Sequence, residues 1–148
     1  MDEIAVSGER FRLVLRILNY EYPKATTGHD ANWLSGEVAM TFDGGASFTA
    51  KRGVSLLTAE LASFRDGVRS LVDELHGEAT LFSIEGELGC TIKLERGRGE
   101  IEAFVREHYP GTELRAEHVP TDQSYLQETA DQLDALLLTF PVRGNPYS

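Results

Sequence analysis

Apolar and polar residues alternate along much of the chain. Between residues 9 and 22, Phe11, Leu13 and Leu15 fall on one side of an extended segment, with Arg12 on the other. A period of two is typical of a half-buried strand, so this segment is predicted to be the first strand. The same period recurs in six later segments, at residues 34–42, 48–51, 79–85, 88–95, 100–106 and, more weakly, 112–119. The pattern therefore predicts seven strands.

Two other segments repeat their apolar residues every three or four positions, which is typical of an amphipathic helix. The first helix is predicted between Thr58, a suitable N-cap, and Gly77, which suits a left-handed C-terminal cap. The second is predicted at residues 122–140, with Asp122 or Ser124 as its N-cap. A proline follows it and ends the helix.

The resulting order of elements, βββαββββα, predicts an α+β fold. Connections between the strands are short, which favours antiparallel pairing. We therefore expect one curved, mostly antiparallel sheet of about seven strands, with two amphipathic helices packed on one face. The length of 148 residues fits a single domain over residues 1–148, in which residues 1–8 and 142–148 are loose termini. The sequence shows no internal repeat.

The composition is acidic, with 24 Asp and Glu residues against 14 Lys and Arg residues and a formal net charge of -10. Such a charge repels nucleic acid and anionic lipid, so neither is an expected partner. Two interpretations of the charge stay open. It makes the surface soluble, or it attracts a basic protein partner by electrostatic steering.

The cysteine content and the first residues bear on the compartment. The chain has one cysteine, Cys90, and therefore no internal disulfide, which favours a reducing compartment. The first ten residues, MDEIAVSGER, are acidic and unlike a signal peptide. No run approaches the roughly 20 apolar residues of a membrane helix, so no membrane association is expected. These observations predict a cytoplasmic protein.

The sequence offers little for catalysis. Its four histidines are far apart and fall in predicted loops or at element ends, whereas a metal site needs clustered ligands. Cys90 is expected to pack in the core, and no nucleophile-elbow or phosphate-loop pattern is present. Two acid pairs, Glu85 with Glu87 and Glu100 with Glu102, fit solvated strand faces better than a glycosidase pair. No catalytic residue, metal ligand or cofactor is therefore predicted.

A short polar segment containing Trp33, the chain's one tryptophan, precedes the second predicted strand. Asp30 and Asn32 beside it suit side-chain hydrogen bonds to nearby backbone that fix a bend. Trp33 then either packs over the sheet edge or serves as an anchor for a partner. Tryptophan is over-represented among residues that dominate binding energy, so Trp33 is a candidate binding residue.

Acidic residues accumulate toward the C-terminus. From residue 121 to 138 there is no Lys or Arg, although helices normally mix charges to gain pairs four residues apart. The pattern fits either a solvated helix face or a field of one sign that steers a basic partner. The candidate steering residues are Asp122, Glu128, Asp131 and Asp134.

Five short segments, taken in order, resemble the WapI family of bacterial immunity proteins. They are LNYEYP (18–23), HDANWL (29–34), LLTAEL (56–61), TDQSYL (121–126) and TFPVRG (139–144). The resemblance spans roughly residues 11–144, and its most specific parts are DANWL and FP-x-RG. Where the family pattern has an aromatic residue before DANWL, this chain has His29.

The resemblance implies a cytoplasmic protein without catalytic residues that binds and blocks one toxin domain, often a nuclease. Nucleases bind phosphates and tend to be basic, so an acidic inhibitor would complement them. The residues expected to bind this basic toxin domain are Trp33, Asp122, Glu128, Asp131 and Asp134. Two other functions stay open: a small-molecule-binding domain or enzyme with a pocket on the curved sheet, and an accessory homodimer formed through a sheet edge.

Overall fold

Eight strands form two antiparallel sheets of four strands each in the computed structural model, which describes residues 2–147. The first sheet contains β1 (Glu3–Gly8), β2 (Phe11–Tyr20), β3 (Trp33–Asp43) and β4 (Ser47–Leu57), side by side in that order. The second contains β5 (Gly77–Phe82), β6 (Leu88–Glu95), β7 (Arg98–Glu107) and β8 (Thr112–Asp122), again in sequence order. The helices are α1 (Gly28–Asn32), α2 (Thr58–Glu74) and α3 (Gln123–Thr139).

The strands bury alternate residues because one face of each sheet turns toward the core. The buried residues of β2 are the apolar half of its period-two pattern: Phe11, Leu13, Leu15 and Ile17. Those of β6 include Leu88, Cys90, Ile92 and Leu94. These faces and the apolar stripes of α2 and α3 form one continuous core. Burial of apolar surface is the main favourable term in folding, so this core holds both sheets and both long helices together.

The chain builds the same arrangement twice. Residues 3–74 form four antiparallel strands followed by a helix of 17 residues, and residues 77–139 do the same. We call these the first and second units. They share their strand order, and the short α1 is an insertion between β2 and β3 of the first unit. The sequence does not show the repeat because a strand requires only alternation and a helix only an apolar stripe.

Each long helix packs against the first strand of the other unit. The helix α2 lies along β5, α3 lies along β1, and the two helices also pack against each other. Gly67, the tenth residue of α2, lies against Ala79, the third residue of β5. Gln132, the tenth residue of α3, bonds to Ala5, the third residue of β1. The two units are therefore joined by a matched helix exchange.

At the edge of the first sheet, α3 supplies partners for backbone groups of β1. The Gln132 Oε1 atom accepts a hydrogen bond from the Ala5 N–H at 2.8 Å, and the Thr129 hydroxyl donates to the Ala5 carbonyl at 2.6 Å. Free backbone groups on an edge strand invite pairing with other chains, and a covering helix removes that hazard. The helix α3 thus completes the first sheet as well as its own unit.

The predicted α+β class and antiparallel pairing are confirmed, but the predicted single sheet is wrong. Residues 2–147 form eight strands in two sheets, in the order ββαββαββββα rather than βββαββββα. The additional strand β1 lies in the predicted loose terminus 1–8, where Ile4 and Val6 are buried in the core. Its apolar residues Ile4, Ala5 and Val6 are consecutive rather than alternating, so a search for period-two alternation does not find this strand. The third helix, α1, has five residues and no amphipathic stripe.

The second predicted loose terminus, residues 142–148, is also held in place as far as residue 147, where the description ends. The Gly28 N–H donates to the Asn145 carbonyl at 2.8 Å. The backbone N–H of Arg143 donates to the Asn32 Oδ1 atom at 2.8 Å. These contacts are polar and do not follow a period, so the hydrophobic pattern of the sequence gives no sign of them.

The helix caps are partly as predicted. Asp122 is the N-cap of α3, and its carboxylate accepts from the Ser124 N–H at 2.8 Å. Thr58 is not the N-cap of α2 but its first residue, and its hydroxyl donates to Asn32 instead. The left-handed residue that ends α2 is Leu75, two positions before the predicted glycine.

Replacing Gly67 with valine is expected to separate α2 from β5. A Cβ atom on Gly67 would lie 2.9 Å from the Ala79 Cβ, and overpacking of this kind costs about 1–3 kcal/mol. We expect the free energy of unfolding, measured by urea titration, to fall by that amount. The control is Ala135→Val on the exposed side of α3, which adds valine to a helix without a clash. Equal stability of the two variants would contradict the close packing.

Candidate functional site

Trp33 lies at a corner of the first sheet, where α1 meets β3. Its side chain is half-buried, and its ring meets the His29 ring edge-on with the centroids 6.5 Å apart. In the ladder it pairs with Leu57, the residue before α2. Trp33 is therefore half-buried against His29 at the start of an interior strand, and it keeps part of its surface accessible to solvent.

Its neighbour Asn32 is completely buried and uses every hydrogen-bonding position of its amide. The Nδ2 group donates to the Gly28 carbonyl at 2.8 Å and to the Arg143 carbonyl at 2.9 Å. The Oδ1 atom accepts from the Arg143 N–H and from the Thr58 hydroxyl. A buried amide that is satisfied in this way ties α1, the start of α2 and the C-terminal segment to one point.

Arg143 completes this cluster from the C-terminal segment. Its guanidinium donates to the carbonyls of Ala31, Pro23 and Tyr22 at 2.7, 2.9 and 3.0 Å. Its central carbon lies 3.7 Å from the centroid of the Tyr20 ring, within cation–π distance. We call this cluster the C-terminal clasp, formed by Tyr20, Asn32, Thr58 and Arg143.

The clasp is built from segments that carry the family resemblance. One clasp residue comes from each of four such segments, at residues 18–23, 29–34, 56–61 and 139–144. Gly144 follows the clasp with a φ of 58°, and a Cβ atom there would lie 2.5 Å from the Thr26 carbonyl oxygen. Much of the resemblance thus reflects residues that hold the fold together, and a partner-binding surface has to be sought on other grounds.

Replacing Asn32 with alanine is expected to open the clasp. The change leaves the Thr58 hydroxyl and the Arg143 backbone without their buried partner, and each such loss costs about 1–3 kcal/mol. We expect a fall of about 2–4 kcal/mol in the free energy of unfolding, measured by urea titration. The matched control is Asp30→Ala, an exposed position of the same helix, for which we expect a change within about 0.5 kcal/mol. Similar losses for both variants would contradict the role of the clasp.

The acids predicted to steer a partner do not form one field of unpaired charge. Asp134 forms an ion pair with Arg69 and lies 3.7 Å from Arg65, both on α2. Asp131 lies 3.5 Å from Arg69. The helix exchange thus places the arginines of α2 opposite the acids of α3. The sequence could not show these ion pairs, because the count of charges along α3 does not reveal which residues of α2 pack beside them.

Asp122 is the ladder partner of Arg98 on β7, whereas Glu128 forms no ion pair within residues 2–147. Hydrogen bonds from the Ser124 hydroxyl and backbone hold the pKa of Asp122 below its ordinary value, as suits a helix cap. Glu128 is exposed and accepts a hydrogen bond from the Gln132 amide at 3.2 Å. Glu128 is therefore the member of the predicted set whose charge is most available to a partner.

The structure does not bring Trp33 together with Asp122. Asp122 caps the N-terminal end of α3, whereas the corner that holds Trp33 lies near the other end, where Tyr20 stacks edge-on against Phe140. A helix of 17 residues is about 25 Å long. The predicted residues therefore occupy two separate parts of the surface.

A row of residues that the sequence prediction missed crosses the outer face of the second sheet. The ladder places Phe82, Gly89, Phe104 and Arg115 side by side on β5, β6, β7 and β8. We call these four residues the aromatic row. The sequence carries one sign of it, because Ala103, Phe104 and Val105 are consecutive apolar residues and an alternating strand must turn the middle one outward.

Phe104 is held on three sides. A Cβ atom on Gly89 would lie 2.2 Å from its ring, so only glycine leaves room for the ring there. The guanidinium carbons of Arg106 and Arg115 lie 4.4 and 4.8 Å from its centroid, and the Phe82 ring meets it edge-on at 5.9 Å. Phe104 is therefore only 7% exposed although it points away from the core, whereas Phe82 is 53% exposed.

Carboxylates fix the two arginines over the ring. Glu113 accepts from Arg106 at 2.9 Å and from Arg115 at 2.8 Å, and Glu102 accepts from Arg115 at 2.7 Å. Arg115 and then Arg106 hold the pKa of Glu113 below its ordinary value. Each pair is exposed and contributes little to stability. Together they keep the side chains of this face in one arrangement.

Charge is divided unequally between the two sheets. Residues 3–57 contain six acids and six bases, whereas residues 77–122 contain ten acids and five bases. Three further acids and no base lie on α3. The excess negative charge therefore belongs chiefly to the second unit, whereas the segment 3–57, which contains Trp33, is balanced in charge.

Glu60 is a half-buried residue with a carboxyl group in the first turn of α2. Its Oε1 atom accepts from the backbone N–H groups of Leu57 and Ile84 at 3.3 and 3.4 Å. Within residues 2–147, Glu60 Oε2 is a buried side-chain atom without a hydrogen-bond partner. Burial raises the pKa of Glu60 to about 7. The group therefore changes its protonation close to neutral pH.

The stability of the protein is expected to decrease between pH 4.5 and pH 7. In this window the folded protein keeps the Glu60 proton, which the unfolded chain, with an ordinary pKa of 4.5, has already lost, so raising the pH favours unfolding. Glu60→Gln keeps the Oε1 acceptor and removes this titration. The urea midpoint of the variant, relative to wild type, should therefore rise with pH across the window, and Glu37→Gln on an exposed strand should show no such trend. Parallel pH profiles for all three proteins would contradict the raised pKa.

The cavities do not resemble a small-molecule site. An apolar cleft of about 200 Å³ lies between the β3–β4 hairpin and β8, with Phe48 and Leu114 on its walls. Ligand pockets usually measure about 300–1,000 Å³. A larger cavity of about 500 Å³ on the outer face of the first sheet has charged residues on its walls, among them Glu3, Arg16 and Glu37.

The residues considered for catalysis have other roles. Burial raises the pKa of the Cys90 thiol to about 12, so the thiol stays protonated at neutral pH and packs in the core, as predicted. Glu100 bonds to His118 at 2.8 Å and Glu102 to Arg115, so these carboxylates do not act as a free pair. In the part of the chain that the structure describes, no three His, Cys, Asp or Glu residues are grouped to hold a metal ion. Nor does any helix in this part combine the length and hydropathy needed to cross a membrane.

The chain matches the model of a known protein family. Residues 4–141 match the Immunity protein WapI-like family. The match covers nearly the whole chain, and the protein therefore belongs to this family of immunity proteins, as the five resembling segments indicate. Membership defines the class of partner, because an immunity protein acts on a toxin. No curated protein matches the chain.

Proposed function

We propose that this protein is a non-catalytic inhibitor that binds a basic, nuclease-type toxin domain in the cytoplasm and blocks it. The observation that carries the proposal is the unequal charge of the two units, within a family of immunity proteins. Ten acids against five bases on residues 77–122 give one side of the molecule a negative field. A toxin that binds phosphate groups has the opposite charge at its active site.

The mechanism follows from this complementarity. Opposite fields accelerate the encounter of the two proteins, and the inhibitor then covers the basic site of the toxin. No bond is made or broken by the inhibitor, which agrees with the paired carboxylates and the protonated thiol described above. Inhibition by this route requires tight contact and exclusion of the substrate.

The sequence-based candidates keep distinct parts in this proposal. Glu128, which forms no ion pair in the described part of the chain, contributes to the long-range field, whereas Asp131 and Asp134 contribute less because Arg69 offsets them. Asp122 contributes from the cap of α3. Trp33 offers a half-buried aromatic surface at the corner of the first sheet.

The proposal is tested by the kinetics of association with the toxin domain encoded beside this gene in its native host. We expect the association rate, measured by stopped-flow fluorescence, to fall about tenfold or more between 50 and 300 mM NaCl, because salt screens the attraction. Glu128→Lys should slow association by about threefold, and Glu37→Lys on the first sheet should change it less.

Two outcomes would contradict the proposal. If the toxin domain encoded beside the gene neither binds this protein nor is neutralised by it, that toxin domain is not the partner that we propose. Binding that depends neither on salt nor on either charge reversal would support the inhibitor function but contradict the electrostatic mechanism.

A further inference from the structure

We propose that the outer face of the second sheet, centred on the aromatic row, is the surface that contacts the toxin, and that it receives a basic patch of that protein. The inference rests on the proposed function and adds the surface through which this protein contacts the toxin. The face is open: α2 and α3 pack on the first strands and on the core, whereas Phe82, Glu100 and Glu102 on this face are exposed.

The aromatic row has the composition of a binding centre. Aromatic and arginine side chains dominate binding energy in protein interfaces, and here Phe82 and Phe104 lie beside Arg106 and Arg115. Glu102 and Glu113 fix the arginines, so little side-chain freedom is left to lose on binding. A rigid apolar centre with a charged rim is the usual anatomy of such a surface.

The charge of the rim indicates a basic partner. Both arginines of the row are already bonded to carboxylates, so they do not offset the remaining acids. Among the other exposed acids of these strands, Glu78 lies 3.9 Å from Lys93 and Glu100 bonds to His118, whereas Glu95 and Glu117 form no ion pair within residues 2–147. Lysine and arginine side chains of a partner would meet these carboxylates around the Phe82 ring, which is the exposed aromatic surface of the row.

The first sheet supplies an internal comparison. The two units repeat the same strand order, yet the outer face of the first sheet has small and charged residues, among them Val14, Ala39 and Lys51, where the second has its aromatic row. Its segment is also balanced in charge. One of two architecturally equivalent faces is thus specialised for contact.

The site of Trp33 adjoins this surface. Its ladder partner Leu57 lines a cavity of about 310 Å³ together with Phe82 and Tyr147. A partner centred on the aromatic row would reach this cavity at its margin. The cavity thus links Phe82 of the aromatic row to Leu57, the strand neighbour of the predicted anchor.

Two phenylalanines provide a matched test. Phe82 is 53% exposed on the second sheet, and Phe48 is 50% exposed on the first. We expect Phe82→Ala to raise the Kd for the toxin domain encoded beside this gene at least tenfold, mainly through faster dissociation, and Phe48→Ala to change it less than twofold. Biolayer interferometry gives both rates, and melting curves confirm that both variants are folded.

A second pair of variants tests the face by obstruction. Thr91→Arg places a bulky cation beside Glu102 on the outer face of the second sheet. The control, Thr49→Arg, places the same side chain beside Thr41 on the outer face of the first sheet. We expect only Thr91→Arg to weaken binding, by tenfold or more. If the toxin binds wild type, and Phe82→Ala and Thr91→Arg both have the Kd of wild type, the outer face of the second sheet is not the contact surface. That result would leave the proposed function intact. Failure of wild type to bind would overturn both.

Discussion

The fold depends on the exchange of helices between its two units. Each unit ends in a helix that covers the first strand of the other, through Gly67 against Ala79 on one side and through Gln132 and Thr129 on Ala5 on the other. Neither helix has its main contacts with the strands that immediately precede it in the chain. Within residues 2–147 the two sheets share no ladder, and they are held as one body because each is covered by the other unit's helix and because both sheets and both long helices share one core.

The clasp secures the end of this arrangement. Asn32 and Arg143 join α1, the start of α2 and the segment after α3, which places the C-terminal residues against the first sheet. Their polar groups are paired, and Gly144 occupies a position that leaves no space for a side chain. The aromatic row lies outside the five resembling segments but within residues 4–141, which the family model matches.

Periodicity predicted the class of most elements because it reports which residues face the core. The stripe of Leu126, Ala130 and Leu133 in α3 is buried as expected, and Cys90 packs inside its strand. Periodicity does not report which strand lies beside which, so the division into two sheets could not be predicted. The short β1 gave too little alternation, and the clasp uses polar bonds between residues more than 100 positions apart.

The candidate site was predicted less well for the same physical reason. The acids of α3 were identified, but the arginines of α2 that neutralise Asp131 and Asp134 are distant in sequence. Trp33 was identified because tryptophan is rare, and its accessibility depends on the folded corner. Phe104 was hidden in an apolar run that resembles core, and only the ladder shows that its ring faces outward over Gly89.

The helix exchange also governs how the protein is made. Ala5 and Gln132 are 127 residues apart. At ordinary rates of synthesis of about 5–20 residues per second, about 6–25 s therefore pass between the synthesis of β1 and that of the part of α3 that covers its edge. During that time the first four strands can pair, but the nascent sheet keeps an open edge. A ribosome that stops before α3 therefore releases a fragment whose first sheet keeps an open edge, which favours pairing with other chains.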